Sequence, residues 1–346
     1  MIHPTLLELV RLLRLDTEVS GRTVLRERAK ALTFAKSKGQ GHLWAAIGLD
    51  YVPCEMACAF CSFGKPWTAI TEERRLSLEE VEEQAAAFIK AGADYLILRT
   101  SECCTLHGLQ ALAERLRPLI PDGTKLVANT GCQSEAQWRT LRAAGFDGIY
   151  KTIRLREGTD TPFNREERLE NILSAKRAGL EVFALLEPVG PEHTAQELYE
   201  GIVTLRDHIR PTLVGAMARV PVAGSPAEHR GRIDDTYLAD LTAIIVLSVL
   251  PALAGCGTVC SHPASPALVE AGANAMVVER GAIPRDTRFA SHLWSGFTPA
   301  DVWKLLTSAG YNVPEVFSPI SAAGSPHTSA APARPSPSSA PPCPHP

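Results

Sequence analysis

The chain has 346 residues, 45% of them hydrophobic and 21% charged, a balance that buries at least one large core and excludes a disordered chain or a disulfide-stapled miniprotein. Its 35 basic and 38 acidic residues leave a formal charge of −3, which excludes the strongly positive surface that general nucleic-acid or anionic-membrane binding needs. Small molecules and proteins are the expected partners, with no nucleic acid and no membrane.

The N-terminal stretch sets Leu6, Leu7, Val10, Leu12 and Leu13 on an amphipathic face broken by Arg11 and Arg14, so residues 1–39 read as a helical lead-in. It lacks the charged start, apolar stretch and small-residue cleavage site of an export signal, and a cytoplasmic location with reduced thiols is expected. From residue 40, short apolar runs alternate with longer segments of helical period. Strands are expected at His42–Leu49, Tyr95–Arg99, Lys125–Asn129, Gly148–Ile153, Glu181–Leu186, Leu213–Val220, Thr258–Ser261 and Ala275–Val278. Between them, helices are expected at Ser77–Ala91, Gly108–Leu119, Ser134–Ala144, Arg165–Ala178, Thr194–Ile209, Asp235–Leu250 and Ser265–Ala271. Gly92, Gly145 and Gly179 stand where helices stop and the chain turns left-handed.

Strands joined by crossover helices lie parallel. Eight of them over about 240 residues match a closed (β/α)8 TIM-type barrel, placed at 40–285. The alternative is an open doubly wound sheet, but no glycine-rich dinucleotide fingerprint follows an early strand. The longest apolar run, Leu241–Gly255, contains Pro251 and falls short of the roughly 20 residues of a membrane span, so it reads as a buried helix. Residues 286–313 hold the amphipathic PADVWKLLTSAGY and read as a trailing helix. Residues 314–346, rich in Ser, Ala and Pro, read as a disordered tail in which Cys343, His327 and His345 are poor ligands.

Nine cysteines, an odd number in a chain expected to stay reduced, point to metal binding or catalysis for some of them. Cys54, Cys58 and Cys61 follow the first strand with the spacing Cys-x3-Cys-x2-Cys, and Phe60 immediately precedes the third. Three thiolates on one tight loop suit a [4Fe-4S] cube and leave its fourth iron without a protein ligand. Zinc takes a fourth ligand, and no second Cys or His pair follows closely. Three metal-free buried thiols are the remaining alternative, against which Pro53, Glu55 and Ser62 mark a loop.

The triplet resembles that of the radical S-adenosylmethionine (SAM) superfamily, in which the open iron chelates the amino and carboxylate groups of S-adenosyl-L-methionine. Over roughly residues 40–285 the resemblance is nearest to the biotin synthase-like branch, which also holds the [FeFe]-hydrogenase maturase and methylornithine synthase. It implies that Glu102, in Arg99-Thr100-Ser101-Glu102, replaces the acid of a Gly-Gly-Glu-like segment that holds the cosubstrate ammonium, both glycines being absent here. It implies that Arg168, on the helix opened by Asn164, pairs with the cosubstrate carboxylate, a task that suits a planar charged fork. Thr152, Arg154 and Glu157 lie where the family contacts the ribose, with Arg154 and Phe60 counted among the cofactor-binding residues. Gly190 and Glu192 match the last glycine and acid of the segment beside adenine. Gly224-Ser225-Pro226 and Ala271-Gly272-Ala273-Asn274 match turns around strands six and eight.

By the same resemblance, the second cluster of biotin synthase would take its ligands from Ile97, Val127, Phe183 and Val259, none of which ligates iron, which argues against biotin synthesis by that route. Cys103, Cys104, Cys132 and Cys260 are expected near the barrel mouth, either as ligands of an auxiliary cluster or as ordinary small thiols, while Cys256 reads as core. His262 reads as a satisfied loop residue or as a substrate-orienting group. Trp67, Arg74 and Arg75 line the mouth, face an electron donor, or are simply solvated. The implied function is reductive SAM cleavage and hydrogen abstraction from a small-molecule substrate in cofactor biosynthesis, with flavodoxin or ferredoxin as low-potential donor. The alternative is a non-catalytic iron–sulfur or zinc-binding scaffold.

Overall fold

A computed structural model describes residues 5, 8, 19–68, 70, 72–101, 106–282 and 297–314. Its elements in chain order are α1 (Val19–Ser37), β1 (His42–Gly48), β2 (Asp50–Tyr51), β3 (Arg74–Arg75), α2 (Leu78–Lys90), β4 (Tyr95–Arg99), α3 (Leu106–Leu116), β5 (Lys125–Asn129), α4 (Glu135–Ala144) and β6 (Gly148–Tyr150). They continue with α5 (Arg165–Arg177), β7 (Glu181–Phe183), β8 (Leu186–Val189), α6 (Ala195–Val203), β9 (Leu213–Ala218), α7 (Asp235–Val249), β10 (Thr258–His262), α8 (Pro266–Glu270), β11 (Ala275–Gly281) and α9 (Pro299–Ser308). The ring β1-β4-β5-β6-β7-β9-β10-β11 is parallel throughout and closes where β11 returns to β1 and β10 joins β9. All eight expected strands are present in a closed barrel with the helices outside, so the open sheet is excluded.

Local chemistry explains the helix boundaries. Ser77, Ser134 and Thr194 each accept the N–H three residues on, while Glu80, Gln137 and Glu197 reach back to the cap backbone, so both ends of each capping box are satisfied. Gly92, Gly145 and Gly179 take φ of +80°, +113° and +86° at the helix stops. Most of the apolar run identified in the sequence lies in α7, and two-thirds of the membrane-length stretch Asp235–Ala252 is buried, with α7 packed on α1, α8 and β9. Of the terminal extensions, α1 and α9 lie within the described residues. Most of the 314–346 tail lies outside them. Gln40 and Asn312 pair, and the Asn312 N–H donates to Gly39 O at 2.7 Å, fastening the trailing segment to the start of the barrel.

Alternation along each strand sorts the core into two layers. Trp44, Tyr95, Ile97, Val127, Tyr150, Phe183, Leu213 and Cys260 fill the barrel. Leu43, Leu96, Leu126, Ile149, Val182, Val214 and Val259 face the helices. The sequence register at strand seven is therefore corrected by one residue: Val259 points outward and Cys260 inward. The interior is an aromatic plug, with Trp44 edge-on to Tyr150 at 5.4 Å and Tyr95 edge-on to Phe183 at 5.5 Å.

Strands four and five also depart from expectation. Strand four ends at Tyr150, not Ile153, and strand five is broken into β7 and β8. The Thr152 hydroxyl donates to Leu185 O at 2.7 Å across the break, and β8 leans onto β9 through Leu186 and Val189. Backbone contacts still bridge strands four and five beyond the break, with the Leu155 N–H donating to Glu187 O at 2.8 Å, and the Arg154 and Glu187 side chains pair there at 2.7 Å.

Candidate functional site

The loops at the C-terminal ends of the strands enclose a cavity of about 340 Å³, on the face where barrels of this type assemble chemistry from several loops. Cys54, Cys58 and Cys61 line it together with Arg154, Arg168, Glu187, Arg219, His262 and Glu279, and the barrel-filling residues Trp44, Ile97 and Tyr150 form its floor.

The cysteine loop is a chain of tight turns. The Cys61 N–H donates to Cys58 O at 2.8 Å, the Cys54 N–H to Phe63 O at 2.7 Å and the Lys65 N–H to Cys54 O at 3.0 Å, while Ala57 takes φ +45°. The Trp67 indole N–H donates to Cys61 O at 2.7 Å and closes the loop from outside. Gly64 makes room for that ring, since a Cβ there would lie 2.3 Å from indole carbons. Gly64→Ala is expected to displace Trp67, shift tryptophan fluorescence to the red and lower iron retention during anaerobic gel filtration by a few-fold. Parental emission and retention would show that the indole contact is dispensable.

Burial and the adjacent Cys61 thiol push Cys58 up to about 12, against the pull of the Arg154 and Arg168 guanidiniums. The three sulfurs thus share one electrostatic neighbourhood facing one cavity. A tetrahedral zinc ion would draw its sulfurs to about 3.8 Å from one another. Among the described residues, the group whose ligand atoms all lie within 4.8 Å is Asp160, Glu192 and His193, not the three thiols. Three thiols on one loop would hold three irons of a [4Fe-4S] cluster. The acidic group is already committed to arginines: Arg219 grips Glu192 through both terminal nitrogens, and Arg230 reaches Asp160 at 2.7 Å.

In the same cavity, Arg154 and Arg168 are each paired with a carboxylate. Arg168 places Nε 3.0 Å from Glu157 Oε1, with both side chains buried, and lies over the Phe163 ring at 3.8 Å. Among the described residues neither Nη of Arg168 has a protein acceptor. Arg154 Nη1 lies 2.7 Å from the buried Glu187 Oε1, whose other oxygen accepts the Tyr150 hydroxyl. Burial works against the charge of Arg154, but Glu187, with Tyr150, Glu157 and Cys58 adding to it, holds the guanidinium pKa above its ordinary value. Burial and Glu187 together raise Tyr150, keeping its proton on the phenol as a donor.

Of the three residues weighed for the ribose, only Arg154 lines the cavity. Thr152 spends its hydroxyl on Leu185, and Glu157 is the anchor behind Arg168. Phe60 and Arg168 also line it. Glu102, Cys103 and Cys104 lie outside the described residues. Cys132 is exposed, Cys256 is in the outer core, and Cys260 lies below the cavity instead of at the mouth. Sequence reasoning gave no role to Asp50 or Arg219. Asp50 accepts the Ser101 N–H at 2.7 Å and its hydroxyl at 3.1 Å, fixing the residue before Glu102. The available signal was a charged residue at the C-terminal end of a barrel strand.

No family model matches the chain, and no curated protein matches it in sequence. Among solved structures it is similar to methylornithine synthase (PylB), with a TM-score of 0.75 and 16% identity over 91% of this chain and 95% of that one. It is also similar to the FeFe-hydrogenase maturase HydG from Carboxydothermus hydrogenoformans, with a TM-score of 0.72 and 19% identity over 89% of this chain and 75% of that one. A second HydG structure gives 0.72 and 12% over 89% and 72%. The chain thus has the closed (β/α)8 fold of these solved structures.

Proposed function

We propose that this chain is a radical SAM enzyme that holds a [4Fe-4S] cluster on Cys54, Cys58 and Cys61, binds S-adenosyl-L-methionine in the cavity, and abstracts hydrogen from a small molecule held deeper in the barrel. The observation that carries this reading is the meeting of three thiols on one loop with two carboxylate-anchored guanidiniums across a single cavity. When bound and reduced, the cluster supplies the electron that splits the cosubstrate into methionine and a 5′-deoxyadenosyl radical.

The chain's own residues bind, orient and exclude water. Arg168 offers both terminal nitrogens to the cosubstrate carboxylate, its plane fixed by Glu157 and Phe163. Arg154, held by Glu187, contacts the ribose side, and Phe60 packs beside the nucleoside. Glu102 takes the ammonium, with Asp50 anchoring the residue before it. The aromatic floor beneath keeps water from the reacting carbon. The reaction class is a rearrangement, fragmentation or sulfur insertion in cofactor biosynthesis. A flavodoxin or ferredoxin supplies the electron in a reduced cytosolic compartment.

The experiment is anaerobic reconstitution with iron and sulfide, reduction with dithionite, addition of SAM and measurement of 5′-deoxyadenosine. Deoxyadenosine formation that depends on dithionite is the expected result. Stoichiometric zinc in the purified protein and no deoxyadenosine would establish the scaffold reading instead.

A further inference from the structure

Ala59, one of the two residues between the last two cysteines, is held on both sides. The Ala59 N–H donates to Asp160 O at 2.8 Å, and Ala59 O accepts the Ala227 N–H at 3.0 Å. Asp160 belongs to the loop after β6 and Ala227 to the loop after β9, so the cysteine loop is gripped by two separate parts of the barrel mouth. Those parts are joined by charge. Arg230, whose N–H donates to Ala227 O at 3.2 Å, places Nη1 2.7 Å from Asp160 Oδ2 and 3.5 Å from Glu192 Oε1. Glu192 in turn binds Arg219, whose Nη2 donates to Glu192 Oε2 at 2.8 Å and to Gly231 O at 3.0 Å.

The same loop after β6 also sets the cavity arginines. The Arg154 N–H donates to Glu157 Oε2 at 2.5 Å, the Thr161 hydroxyl donates to Glu157 Oε1 at 3.0 Å, and Glu157 anchors Arg168. A turn through Arg156, at φ +57°, closes with Asp160 N–H donating to Arg156 O at 2.9 Å. The carboxylate that aims Arg168 and the carbonyl that holds Ala59 are therefore only three residues apart on one tight turn. Displacing Asp160 moves both.

We infer that the chain of ion pairs Asp160–Arg230–Glu192–Arg219 is a positioning device that sets the cysteine loop at a fixed distance and angle from Arg154 and Arg168. Its residues are positioning residues; they act through Ala59 and Glu157. Gly190 serves the same device, because a Cβ there would lie 2.4 Å from both Arg219 Nη2 and Glu192 Oε2. Although burial opposes it, Arg219 and the backbone, with His193 beside them, hold the Glu192 carboxyl down at about 2, so it is ionised and paired near neutral pH. The value of the device rests on the radical SAM reading, since the two sides it aligns are the thiols and the guanidiniums that would share the cosubstrate.

The test compares Arg230→Gln, Arg230→Lys and the neutral pair Asp160→Asn with Arg230→Gln, the last avoiding an uncompensated buried carboxylate. Three quantities are read: iron per chain after reconstitution, SAM affinity from the SAM-induced change in the EPR spectrum of the reduced cluster, and amide exchange at residues 57–61 in the metal-free protein. Arg230→Gln and the neutral pair are expected to keep parental iron, weaken SAM binding by about tenfold and speed exchange at Ala59, with Arg230→Lys restoring most of both. SAM affinity and Ala59 exchange within twofold of the parent would overturn the inference, as would a loss of iron with unchanged affinity per cluster, which marks a purely structural role. If the parent shows no SAM-induced change at all, the radical SAM reading itself fails. The exchange rates of the metal-free protein still decide whether the ion pairs hold the loop.

Discussion

Cys58→Ala is expected to abolish both cluster binding and SAM cleavage while leaving the barrel folded. Iron after reconstitution should fall from about four per chain to background, and dithionite-dependent deoxyadenosine should fall below detection. Of the three thiols, Cys58 feels both of the others and both cavity guanidiniums. In the metal-free protein its pKa near 12 keeps it protonated, so metal binding must displace that proton, and iron loading should become more favourable as pH rises. Arg154 and Arg168 offset part of the repulsion that three thiolates would otherwise feel. The side chain is half-buried on a loop held by backbone hydrogen bonds, so losing one sulfur should change stability by no more than about 1 kcal/mol. Circular dichroism and the thermal midpoint check the fold, while iron, sulfide and deoxyadenosine check the site. A Cys58→Ala protein that still takes up a full complement of iron would move the cluster elsewhere, and the assignment of the loop would fall.

The barrel was legible because its periodicities are local. Alternating apolar runs, capping boxes and glycine stops each lie within a few residues, and together they give the order and number of the barrel strands. The break in strand five was not legible, because it is made by Thr152 reaching Leu185 and by β8 leaning onto β9, contacts that connect separate segments. The strand-seven register had the same difficulty. Thr258–His262 is buried at every position, so apolarity alone does not say which of Val259 and Cys260 faces inward.

At the site, the cysteine triplet was readable since its three thiols sit within eight residues of one another. Arg168 was readable only through its resemblance to a family segment. Its pairing with Glu157 follows from the turn after β6, which no spacing rule announces. The Arg219–Glu192 and Arg230–Asp160 pairs join residues 27 and 70 apart. Charged residues at strand ends are common, and only the folded barrel says which of them meet.

Arg168→Met tests the other half of the site, and its consequences divide cleanly into stability and binding. The substitution removes one partner of a buried pair and leaves the Glu157 carboxylate, whose side chain is fully buried, with Arg154 N–H and the Thr161 hydroxyl as its remaining donors. Breaking such a pair from one side costs about 3–5 kcal/mol, much of it the penalty of the stranded charge. Glu157→Gln in the same chain removes that charge, so the double variant is expected to recover most of the stability in denaturant titrations. It should not recover SAM binding, because the planar fork offered to the carboxylate is gone, and deoxyadenosine formation should stay at least about 100-fold below the parent. Arg168→Lys separates charge from shape: one ammonium keeps the attraction but neither the bidentate geometry nor the flat contact with Phe163, and should fall between the two. If the double variant bound SAM as the parent does, Arg168 would be a structural partner of Glu157 and nothing more, and the carboxylate of the cosubstrate would have to be held by Arg154 or Arg219 instead.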